Sequence, residues 1–379
     1  MRILHVIPSL DLAYGGPPEG VLRLAAGYLR EGHEVEVATL DDPQAAFLRD
    51  LPFPVSAHGP RKNTYAHSAT LLPWLRANAA RFDGVVVDGL WQYHGRAVWQ
   101  ALHGRQKYAV FMHGMLDPYF NKPYLTKFAK KWPYWLFSEY KLIRDAHRVL
   151  FTTETEMRLA AKSMRPYRAN GVVVPFGTPG PDADSDICRE AFLARCPAMK
   201  DRRFLLFLGR IHPKKGCDLL IEAFAAAASQ DLHLLMAGPD QTGWQATLEA
   251  RAAELGVADR IHWPGMIGGD AKWGAHLCAD AFILPSHQEN FGIAVAEALA
   301  CGTPVLISDQ VNIFSEIEAD GAAIIGRDTL DGTRSIIERW ESMPAIQKET
   351  MRKEAHRCYE QRFDSRRLPS AIVSLFQAD

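Results

Sequence analysis

The chain has 379 residues, 47% of them hydrophobic and 23% charged, with a formal net charge of −1. This composition is typical of a globular protein. The near-neutral charge excludes an overall electrostatic field that would attract nucleic acid or an anionic membrane, so any basic surface must be local. The length predicts two domains, each able to bury its own core. No apolar run is long enough to span a bilayer, and the N-terminus is expected to form a first strand rather than a signal peptide.

The six cysteines favour a reducing compartment. None of them forms a C-x-x-C pair, and several lie in apolar helical contexts. This arrangement predicts reduced, buried thiols in a cytosolic protein, rather than a disulfide or zinc framework.

Strand and helix patterns alternate along the first half, which predicts a parallel sheet covered by helices. The predicted strands are residues 2–7, 34–39, 84–87, 109–112, 149–152 and 171–175. Gly15 and Gly16 form a turn before a predicted helix near residues 17–30. Glycine lets a backbone approach a ligand closely, so Gly16 is the stronger candidate for a ligand loop, while Gly15 fits an ordinary turn equally well.

A His-Gly turn follows the predicted strand at 109–112. His113 could donate a hydrogen bond to a substrate hydroxyl, or to charge that develops in a transition state. A lone histidine is more often a structural residue, and Asp117, which precedes a proline, fits ordinary turn chemistry.

Residues 122–144 combine six basic side chains with seven aromatic ones and a single acid, Glu139. Such a segment can lie on an anionic membrane surface. It can equally be a helix that packs on its own domain through its aromatic face, and the sequence leaves both open. Pro123 and Pro133 predict that it is not one long helix.

Glycine, proline and aspartate are enriched over residues 177–186, which marks a linker and places a domain boundary at 178. The alternating pattern then restarts, so a second parallel sheet is expected, and two such units imply a cleft between them. Its predicted strands are residues 204–208, 232–237, 260–263, 281–284, 305–308 and 322–325. Helices are predicted near residues 216–228, 244–255, 330–341, 345–359 and 363–376.

Two cations follow the first strand of the second half. Arg210 comes directly after Gly209 at the end of that strand, and Lys215 stands at the start of the next helix. Cations at the carboxyl end of such a strand face the ligand crevice of an open sheet and suit phosphate oxygens. Two of them could neutralise a diphosphate without a metal ion, whereas Lys214 fits a solvated turn.

Two acids stand eight positions apart near residue 290. Glu289 lies in a polar loop after a predicted strand, and Glu297 is the one acid in an apolar helix of residues 293–301. A helix that is apolar all round is buried, so Glu297 needs a partner, which is either a basic residue or a ligand.

The start of this helix is a candidate anion site. Gly292 stands where the helix would begin, and the backbone N–H groups near Phe291, Gly292 and Ile293 would lack partners within the helix. Such groups can bind a phosphate.

The run Glu-Asn-Phe-Gly from Glu289, the run Glu-Ala-Leu-Ala-Cys-Gly-Thr-Pro-Val from Glu297 and the pattern Gly-Arg-x4-Lys-Gly at 209–216 closely resemble the signature of retaining glycosyltransferases of the GT4 type. That family has the GT-B fold. The resemblance implies an α/β protein with two Rossmann-like, doubly wound parallel-sheet domains facing a central cleft. It implies an acceptor domain at 1–178, a nucleotide-sugar donor domain at 179–360 and a crossover helix at 361–379.

The resemblance also implies roles for individual residues. Glu289 would face the donor sugar, Glu297 would hold the nucleotide ribose, and Arg210 and Lys215 would hold the diphosphate. His113 would contact the transferring sugar. The other residues implied at the donor are Gly16, Gly209, Met266, Ile267, Asn290, Phe291, Gly292 and Ile293.

Met266 and Ile267 belong to a turn that resembles the base-binding turn of the family, although Gly265 as a plain turn residue explains that turn equally well. Asp270 and Lys272 are expected at a helix start on a solvated surface.

The implied reaction is retaining transfer of a hexose from a UDP- or GDP-sugar to the hydroxyl of a glycan or lipid-linked glycan, in bacterial surface-polysaccharide assembly. The expected location is the cytoplasm or the inner face of the cytoplasmic membrane, with no cofactor, no essential metal and no nucleic-acid partner. Two alternatives remain open: an enzyme similar to UDP-N-acetylglucosamine 2-epimerases, and a non-catalytic subunit that binds a nucleotide sugar.

Overall fold

The structure is a computed structural model that describes residues 1–60, 63–118 and 131–377. The chain forms two compact units. Unit 1 comprises Met1–Pro175 together with Arg366–Asp379, and unit 2 comprises Phe176–Ser365. Each unit has its own cluster of buried apolar side chains. The predicted fold class, two Rossmann-like parallel-sheet domains, is confirmed.

Unit 1 contains a sheet of seven parallel strands within the described ranges, in the order β3-β2-β1-β4-β5-β6-β7. The strands are β1 Arg2–Ile7, β2 Glu34–Thr39, β3 Val55–Ala57, β4 Gly84–Asp88, β5 Tyr108–Phe111, β6 Arg148–Phe151 and β7 Gly171–Val173. The order reverses between β1 and β4, and ligands bind open sheets of this kind outside the carboxyl ends of the strands at such a point. Strand β3 escaped prediction because it is three residues long and only half-buried.

The helices of this part are α1 Gly16–Arg30, α2 Leu71–Asn78, α3 Tyr93–Leu102, α4 Tyr140–Arg144 and α5 Glu154–Ser163. Helix α1 begins where the sequence predicts, because proline is favoured in a first helical turn and the early acid Glu19 complements the helix dipole.

The basic and aromatic segment predicted at 122–144 is described only from Lys131 onward, and residues 119–130 lie outside the described residues. Its described part is helical, with a π-type turn over Trp135–Glu139 directly before α4. The expected break is not seen at Pro133, because residues 131–144 are helical, and Pro123 lies outside the described residues. A proline lacks an N–H donor, and the wider π-type turn that begins at Trp135 changes the local hydrogen-bond pattern.

Unit 2 contains six parallel strands in the order β10-β9-β8-β11-β12-β13. They are β8 Arg203–Leu208, β9 Leu232–Ala237, β10 Ile261–Gly265, β11 Ala281–Leu284, β12 Val305–Ser308 and β13 Ala323–Gly326. The order reverses between β8 and β11, so the loops that follow these two strands lie where a ligand is expected.

The helices of unit 2 are α6 Ser185–Arg195, α7 Cys217–Ala227, α8 Gln245–Glu254, α9 Gly269–Cys278, α10 Ile293–Ala300, α11 Phe314–Ala319, α12 Leu330–Ser342 and α13 Ala345–Cys358. The six cysteines are free thiols, as their spacing predicts, with Cys278 and Cys301 only half-buried.

The predicted linker is tied into unit 2 at its start. The N–H of Thr178 donates to the carbonyl of Phe363 at 3.1 Å, and the N–H of Ser365 donates to the carbonyl of Thr178 at 3.2 Å. A Cβ at Gly177 would lie 1.8 Å from the Phe363 oxygen, so only glycine fits there. Composition alone did not reveal that these residues would pair with the end of the same unit.

The last helix, α14 Leu368–Gln377, packs within unit 1. Pro369 lies directly against Gly27 of α1, and His147 bonds the carbonyl of Leu375 at 3.0 Å. The helix predicted at 363–376 starts later, because Asp364 is extended and pairs with Thr178. Tyr359 and Phe363, which precede α14, belong to the core of unit 2.

Candidate active site

The loops that follow β8 and β11 are bonded to each other. The carbonyl of Lys214 accepts hydrogen bonds from the N–H of His287 at 2.9 Å and from the hydroxyl of Ser286 at 3.0 Å. Gly216 has φ 67°, and a Cβ there would lie 2.2 Å from the carbonyl oxygen of Pro285. The glycine predicted at the helix start therefore allows the two loops to approach, and their contact fixes the side chains that they carry.

These loops bring Lys215 and Glu289 together as an ion pair, with 16% and 17% of their side chains exposed. The backbone of Glu289 is held on both sides, because its N–H donates to Gln310 and its carbonyl accepts from Asn312, both at 3.0 Å. The cation predicted for a diphosphate and the acid predicted for a sugar thus form a pair with each other.

Arg210 lies just beyond β8 and is exposed. Among the described residues its guanidinium forms no hydrogen bond, so it can bind an anion. The preceding Gly209 is bonded to Ala237 of β9 at 2.9 Å, and a Cβ at Gly238 would lie 1.8 Å from the Gly209 oxygen. Close packing of two glycines therefore sets the position of Arg210.

The field at this strand end is positive. Burial lowers the pKa of His212, and the cations Arg210, Lys214 and Lys215 lower it further. The imidazole of His212 accepts a hydrogen bond from the N–H of Lys214 at 3.1 Å, which requires an unprotonated ring nitrogen. A clustered positive charge next to a neutral acceptor is suited to an anionic ligand.

Helix α10 begins at Ile293, directly after Gly292, as predicted. Gly292 is left-handed (φ 82°), and no side chain caps the helix. The first N–H groups of a helix lack acceptors within it, so this helix start can bind an anion. A Cβ at Gly292 would lie 3.3 Å from Cγ of Glu289, which places the helix start beside the ion pair.

Phe291 and Asn290 connect the acid to the helix. Phe291 is buried and packs edge to face against Phe176 at 4.9 Å and Phe363 at 5.7 Å between ring centroids. Asn290 and Ile293 are half-buried. The Phe291 side chain therefore anchors the loop in the core of unit 2, and only its backbone can meet a ligand.

Glu297 has the partner that its burial requires. Its carboxylate lies 2.5 Å from the ammonium group of Lys272, with 5% and 18% of the two side chains exposed. The Lys272 nitrogen also lies 4.5 Å from the centroid of the Trp273 ring. Lys272 lies near the start of α9, as expected, but the expectation that it is solvated is wrong, because its ammonium group is paired with the buried acid. The sequence signal for this partner was the lone acid in an apolar helix.

The turn after β10 contains Met266 and Ile267. Met266 is 72% exposed, and Ile267 is buried in the core. The carbonyl of Gly265 accepts from the N–H of Gly238 at 2.9 Å, which joins this turn to the end of β9. Contact of Met266 and Ile267 with a nucleobase stays a prediction.

In unit 1, His113 is part of a buried polar chain that the sequence did not reveal. The Nε2 atom of His113 lies 3.1 Å from one carboxylate oxygen of Asp88, and the Nδ1 atom of His5 lies 2.7 Å from the other. His5 and Asp88 are buried completely, while 7% of the His113 side chain is exposed. Gly16, the other predicted ligand residue of this unit, is the exposed first residue of α1.

Asp88 is the acid among these hydrogen-bonded side chains. Burial alone would raise its pKa, but the electrostatic interaction with His5 and the hydrogen bonds from His113 and His5 outweigh burial and lower the pKa to about 2. Asp88 is therefore a carboxylate at neutral pH. The sequence signal for it was an acid at the carboxyl end of β4, beside the switch point.

A second buried acid of unit 1, Glu139, keeps its proton at mildly acidic pH. Burial raises the pKa of Glu139 to about 7, although the N–H of Trp91, 3.2 Å away, opposes the rise. Trp91 has a left-handed backbone (φ 73°) in the loop after β4. Such strain persists only where the surroundings hold it, and the Glu139 carboxyl is one of the groups that do so.

Replacing Glu139 by glutamine is expected to stabilise the protein at alkaline pH. The folded chain keeps the Glu139 proton up to a pKa of about 7, whereas the unfolded chain loses it near 4.5, so wild-type stability falls as pH rises between these values. The loss amounts to about 3 kcal/mol at pH 8, and glutamine avoids it while it still accepts from Trp91. Thermal unfolding at pH 5 and pH 8 measures it, with exposed Glu154→Gln as the control. Equal pH dependence in Glu139→Gln and the wild type would contradict the assignment.

The structure thus assembles Gly209, Lys215, Glu289 and Gly292 at one end of the unit 2 sheet, with Arg210 beside them, and it pairs Glu297 with Lys272 in the same unit. In the described parts of the chain, no cluster of three or more His, Cys, Asp or Glu side chains is placed to hold a metal ion. None of the described helices is both long and apolar enough to cross a membrane.

Two family models match the chain: "Glycosyl transferase 4-like domain" over residues 15–177 and "Glycosyl transferases group 1" over residues 189–357. The second match contains all of the unit 2 residues that the sequence predicts at the donor, from Gly209 to Glu297. A D-inositol 3-phosphate glycosyltransferase of Geodermatophilus obscurus is 31% identical over 223 residues, which are 55% of this chain and 49% of the relative. The chain thus spans about half the length of this curated relative.

Solved structures show the same fold at low identity. HepE of Anabaena, in complex with UDP and glucose, matches with a TM-score of 0.76 at 18% identity, over 100% of both chains. WaaG, a glycosyltransferase involved in lipopolysaccharide biosynthesis, matches with a TM-score of 0.67 at 18% identity, also over 100% of both chains. With the two family models matching nearly all of both halves, the chain belongs to the GT4-type glycosyltransferases and has their GT-B fold.

Proposed function

We propose that this protein transfers a hexose from a UDP- or GDP-sugar to an acceptor hydroxyl, with retention of configuration at the anomeric carbon. The observation that carries the proposal is the Lys215–Glu289 pair, which lies at the switch point of the unit 2 sheet beside the uncapped start of α10. A cation, an acid and free backbone donors at one point match the three parts of a sugar nucleotide that must be held: diphosphate, sugar hydroxyls and leaving-group charge.

In the proposed reaction, the donor diphosphate binds Arg210, Lys215 and the N–H groups at the start of α10. Glu289 accepts hydrogen bonds from the sugar hydroxyls, Glu297 from the ribose, and the backbone at Met266 and Ile267 meets the base. The acceptor hydroxyl attacks from the face that the diphosphate leaves, and the departing phosphate takes the acceptor proton. The cations then stabilise the charge that develops on the leaving group.

Two sources of support bear on the substrates. The UDP and glucose bound to the similar HepE structure support a nucleotide-sugar donor. The role of WaaG in lipopolysaccharide biosynthesis supports a glycan or lipid-linked glycan acceptor in surface-polysaccharide assembly. The curated relative's name favours a second candidate acceptor, an inositol phosphate. Transfer of labelled hexose to lipid-linked glycan or to inositol phosphate separates the two.

A peripheral contact with the inner face of the cytoplasmic membrane is part of the proposal. In the described part of segment 122–144, Trp132 is 44% and Phe137 is 65% exposed, and interfacial helices present such aromatic side chains. Replacing both by serine is expected to reduce co-sedimentation with anionic vesicles, with the exposed pair Leu12 and Tyr14 changed to serine as the control. Unchanged co-sedimentation would remove the membrane contact.

Transfer is expected to survive removal of divalent metal ions. Arg210 and Lys215 supply two positive charges that can neutralise the negative charge of the diphosphate. A bound metal ion can stabilise phosphate charge in the same way, so these two side chains would replace it. Activity measured after dialysis against a chelator should equal the untreated activity. A loss that manganese or magnesium restores would contradict the metal-independent reaction.

A donor panel tests the proposed function. UDP-, GDP- and ADP-sugars are screened by thermal shift, because a ligand that binds the folded state raises its stability. The best donor is then incubated with acceptors, and the anomeric configuration of the product is read by NMR. A product of retained configuration is expected. Release of N-acetylmannosamine from UDP-N-acetylglucosamine would indicate the epimerase instead, and binding without turnover of any donor would indicate a non-catalytic subunit.

A further inference from the structure

We infer that Asp88 is a positioning residue that fixes the imidazole of His113 with its proton on Nε2, so that Nδ1 is left to accept a hydrogen bond from a substrate hydroxyl. This inference rests on the proposed function for the identity of the hydroxyl, which belongs to the sugar donor or to its acceptor. It reverses the polarity expected from the sequence, in which His113 donates.

The polarity follows from the carboxylate. An ionised carboxylate can only accept hydrogen bonds, so each ring nitrogen within bonding distance of Asp88 carries a proton. His113 therefore donates through Nε2 at 3.1 Å, and His5 donates through Nδ1 at 2.7 Å. In a neutral imidazole the second nitrogen is an acceptor, which for His113 is Nδ1. That atom bonds no other described residue.

Tyr28 and His5 hold Asp88 in place from the other end of this series of hydrogen bonds. The Nε2 atom of His5 lies 3.4 Å from the hydroxyl of Tyr28, which therefore donates to it. Burial raises the pKa of Tyr28, and Asp88 and Glu31 raise it further, so the hydroxyl keeps its proton. The hydrogen bonds thus run in one direction from Tyr28 through His5 to Asp88, and the two carboxylate oxygens serve one histidine each.

The remaining titratable neighbour, His94 of α3, bonds the backbone carbonyl of Asp88 at 3.1 Å rather than its carboxylate. Burial lowers the pKa of His94 to about 4, so its ring is neutral and leaves the polarity of the chain unchanged. The groups that face Asp88 from β1, α1, α3 and the loop after β5 are accordingly His5, Tyr28, His94 and His113.

The backbone holds the His113 ring in place. His113 has φ 48°, a left-handed conformation that is uncommon for residues other than glycine, and its ring stacks on Phe111 with centroids 4.3 Å apart. Strain of this kind is retained at functional sites. His113 follows β5 and Asp88 ends β4, next to the switch point of the unit 1 sheet, so the ring lies where a ligand is expected.

The consequence for a substrate is chemical selectivity. A neutral ring with a carboxylate behind it presents a lone pair and negative potential, which favour a hydroxyl donor or a developing oxocarbenium charge and disfavour a phosphate. Asp88 acts on the substrate only through His113. In Ser-His-Asp triads an aspartate likewise holds the catalytic histidine in one tautomer, and removing that aspartate lowers turnover because the wrong tautomer forms.

The test is nitrogen-15 NMR of the histidine rings, followed along a pH titration of the full chain. The expected result for the neutral rings is a proton on Nε2 of His113 and on Nδ1 of His5. The variant Asp88→Asn offers one acceptor and one amino group, so at least one of these rings must reverse its tautomer. The matched control is Asp145→Asn, which changes the His103–Asp145 pair of the same unit, 3.3 Å apart, and should leave His5 and His113 unchanged.

A proton on Nδ1 of neutral His113 in the wild type would overturn the inference, whether or not the protein transfers sugar, so this result is separate from failure of the proposed function. With a competent donor, Asp88→Asn should lower kcat at least ~10-fold and alter its pH profile, while KM for the donor changes less. A wild-type kcat and pH profile in a folded Asp88→Asn variant would also overturn it, and if that variant fails to fold, the wild-type tautomers alone decide.

Discussion

Replacing Glu289 by glutamine is expected to lower sugar transfer strongly and, at the same time, to tighten the binding of UDP or GDP. The carboxylate is paired with Lys215, so a diphosphate must compete with it for the ammonium group and tolerate its charge. Glutamine frees the ammonium group and removes the repulsion, which should strengthen nucleoside diphosphate binding about 10-fold, or about 1.4 kcal/mol. Turnover should fall by about 10²–10³, because the acid no longer holds the sugar hydroxyls.

Isothermal titration with UDP and GDP measures the affinity, and transfer assays measure turnover. The control is Asp328→Asn, which removes one negative charge from the His287–Asp328 pair of the neighbouring loop without touching Lys215. Equal tightening in the control would assign the effect to general charge. Wild-type turnover in Glu289→Gln would show that the Glu289 carboxylate does not bind the sugar hydroxyls.

The second large effect is expected from Lys272→Met. Methionine leaves Glu297 buried without its cation, and breaking a buried pair from one side costs about 3–5 kcal/mol. The thermal unfolding midpoint should fall by several degrees. The ribose contact proposed for Glu297 should weaken as well, since the carboxylate is no longer oriented.

The double variant Lys272→Met, Glu297→Gln separates these effects. It removes the unpaired charge, so most of the stability should return, whereas nucleotide affinity should remain low because the carboxylate is gone. The exposed pair Arg334–Glu338, with Arg334→Met, is the control and should change stability little. Wild-type stability in Lys272→Met would show that the pair is not buried in solution.

The sequence predicted the fold well because both sheets are parallel and buried. Strands β8, β9, β11 and β12 are short apolar runs bounded by polar loops, and this pattern has few other interpretations. Prediction failed where position depended on distant residues. The start of α14 was misplaced because Asp364 pairs with Thr178, and β3 was missed because its pairing with β2 owes little to its own composition.

The site could be predicted only as far as local patterns extend. A carboxylate alone in an apolar helix predicted a partner for Glu297 but not which one, because Lys272 lies on another helix. Likewise, the His-Gly turn drew attention to His113, but Asp88 and His5 reach it from neighbouring strands of the folded sheet. The direct pairing of Lys215 with Glu289, which are 74 positions apart, is a property of the loops after β8 and β11 and has no sequence signal of its own.

Calorimetric titration of the wild type and of Lys215→Ala with UDP and GDP tests whether Lys215 binds the diphosphate. If the strand end that carries Arg210 and Lys215 is the diphosphate site, the variant should bind the preferred nucleotide at least ~10-fold more weakly. Comparing Glu289→Gln with the double variant Lys215→Ala, Glu289→Gln repeats the test without an unpaired acid and should give the same loss. Unchanged affinity for both nucleotides in both comparisons would contradict the assignment of this site.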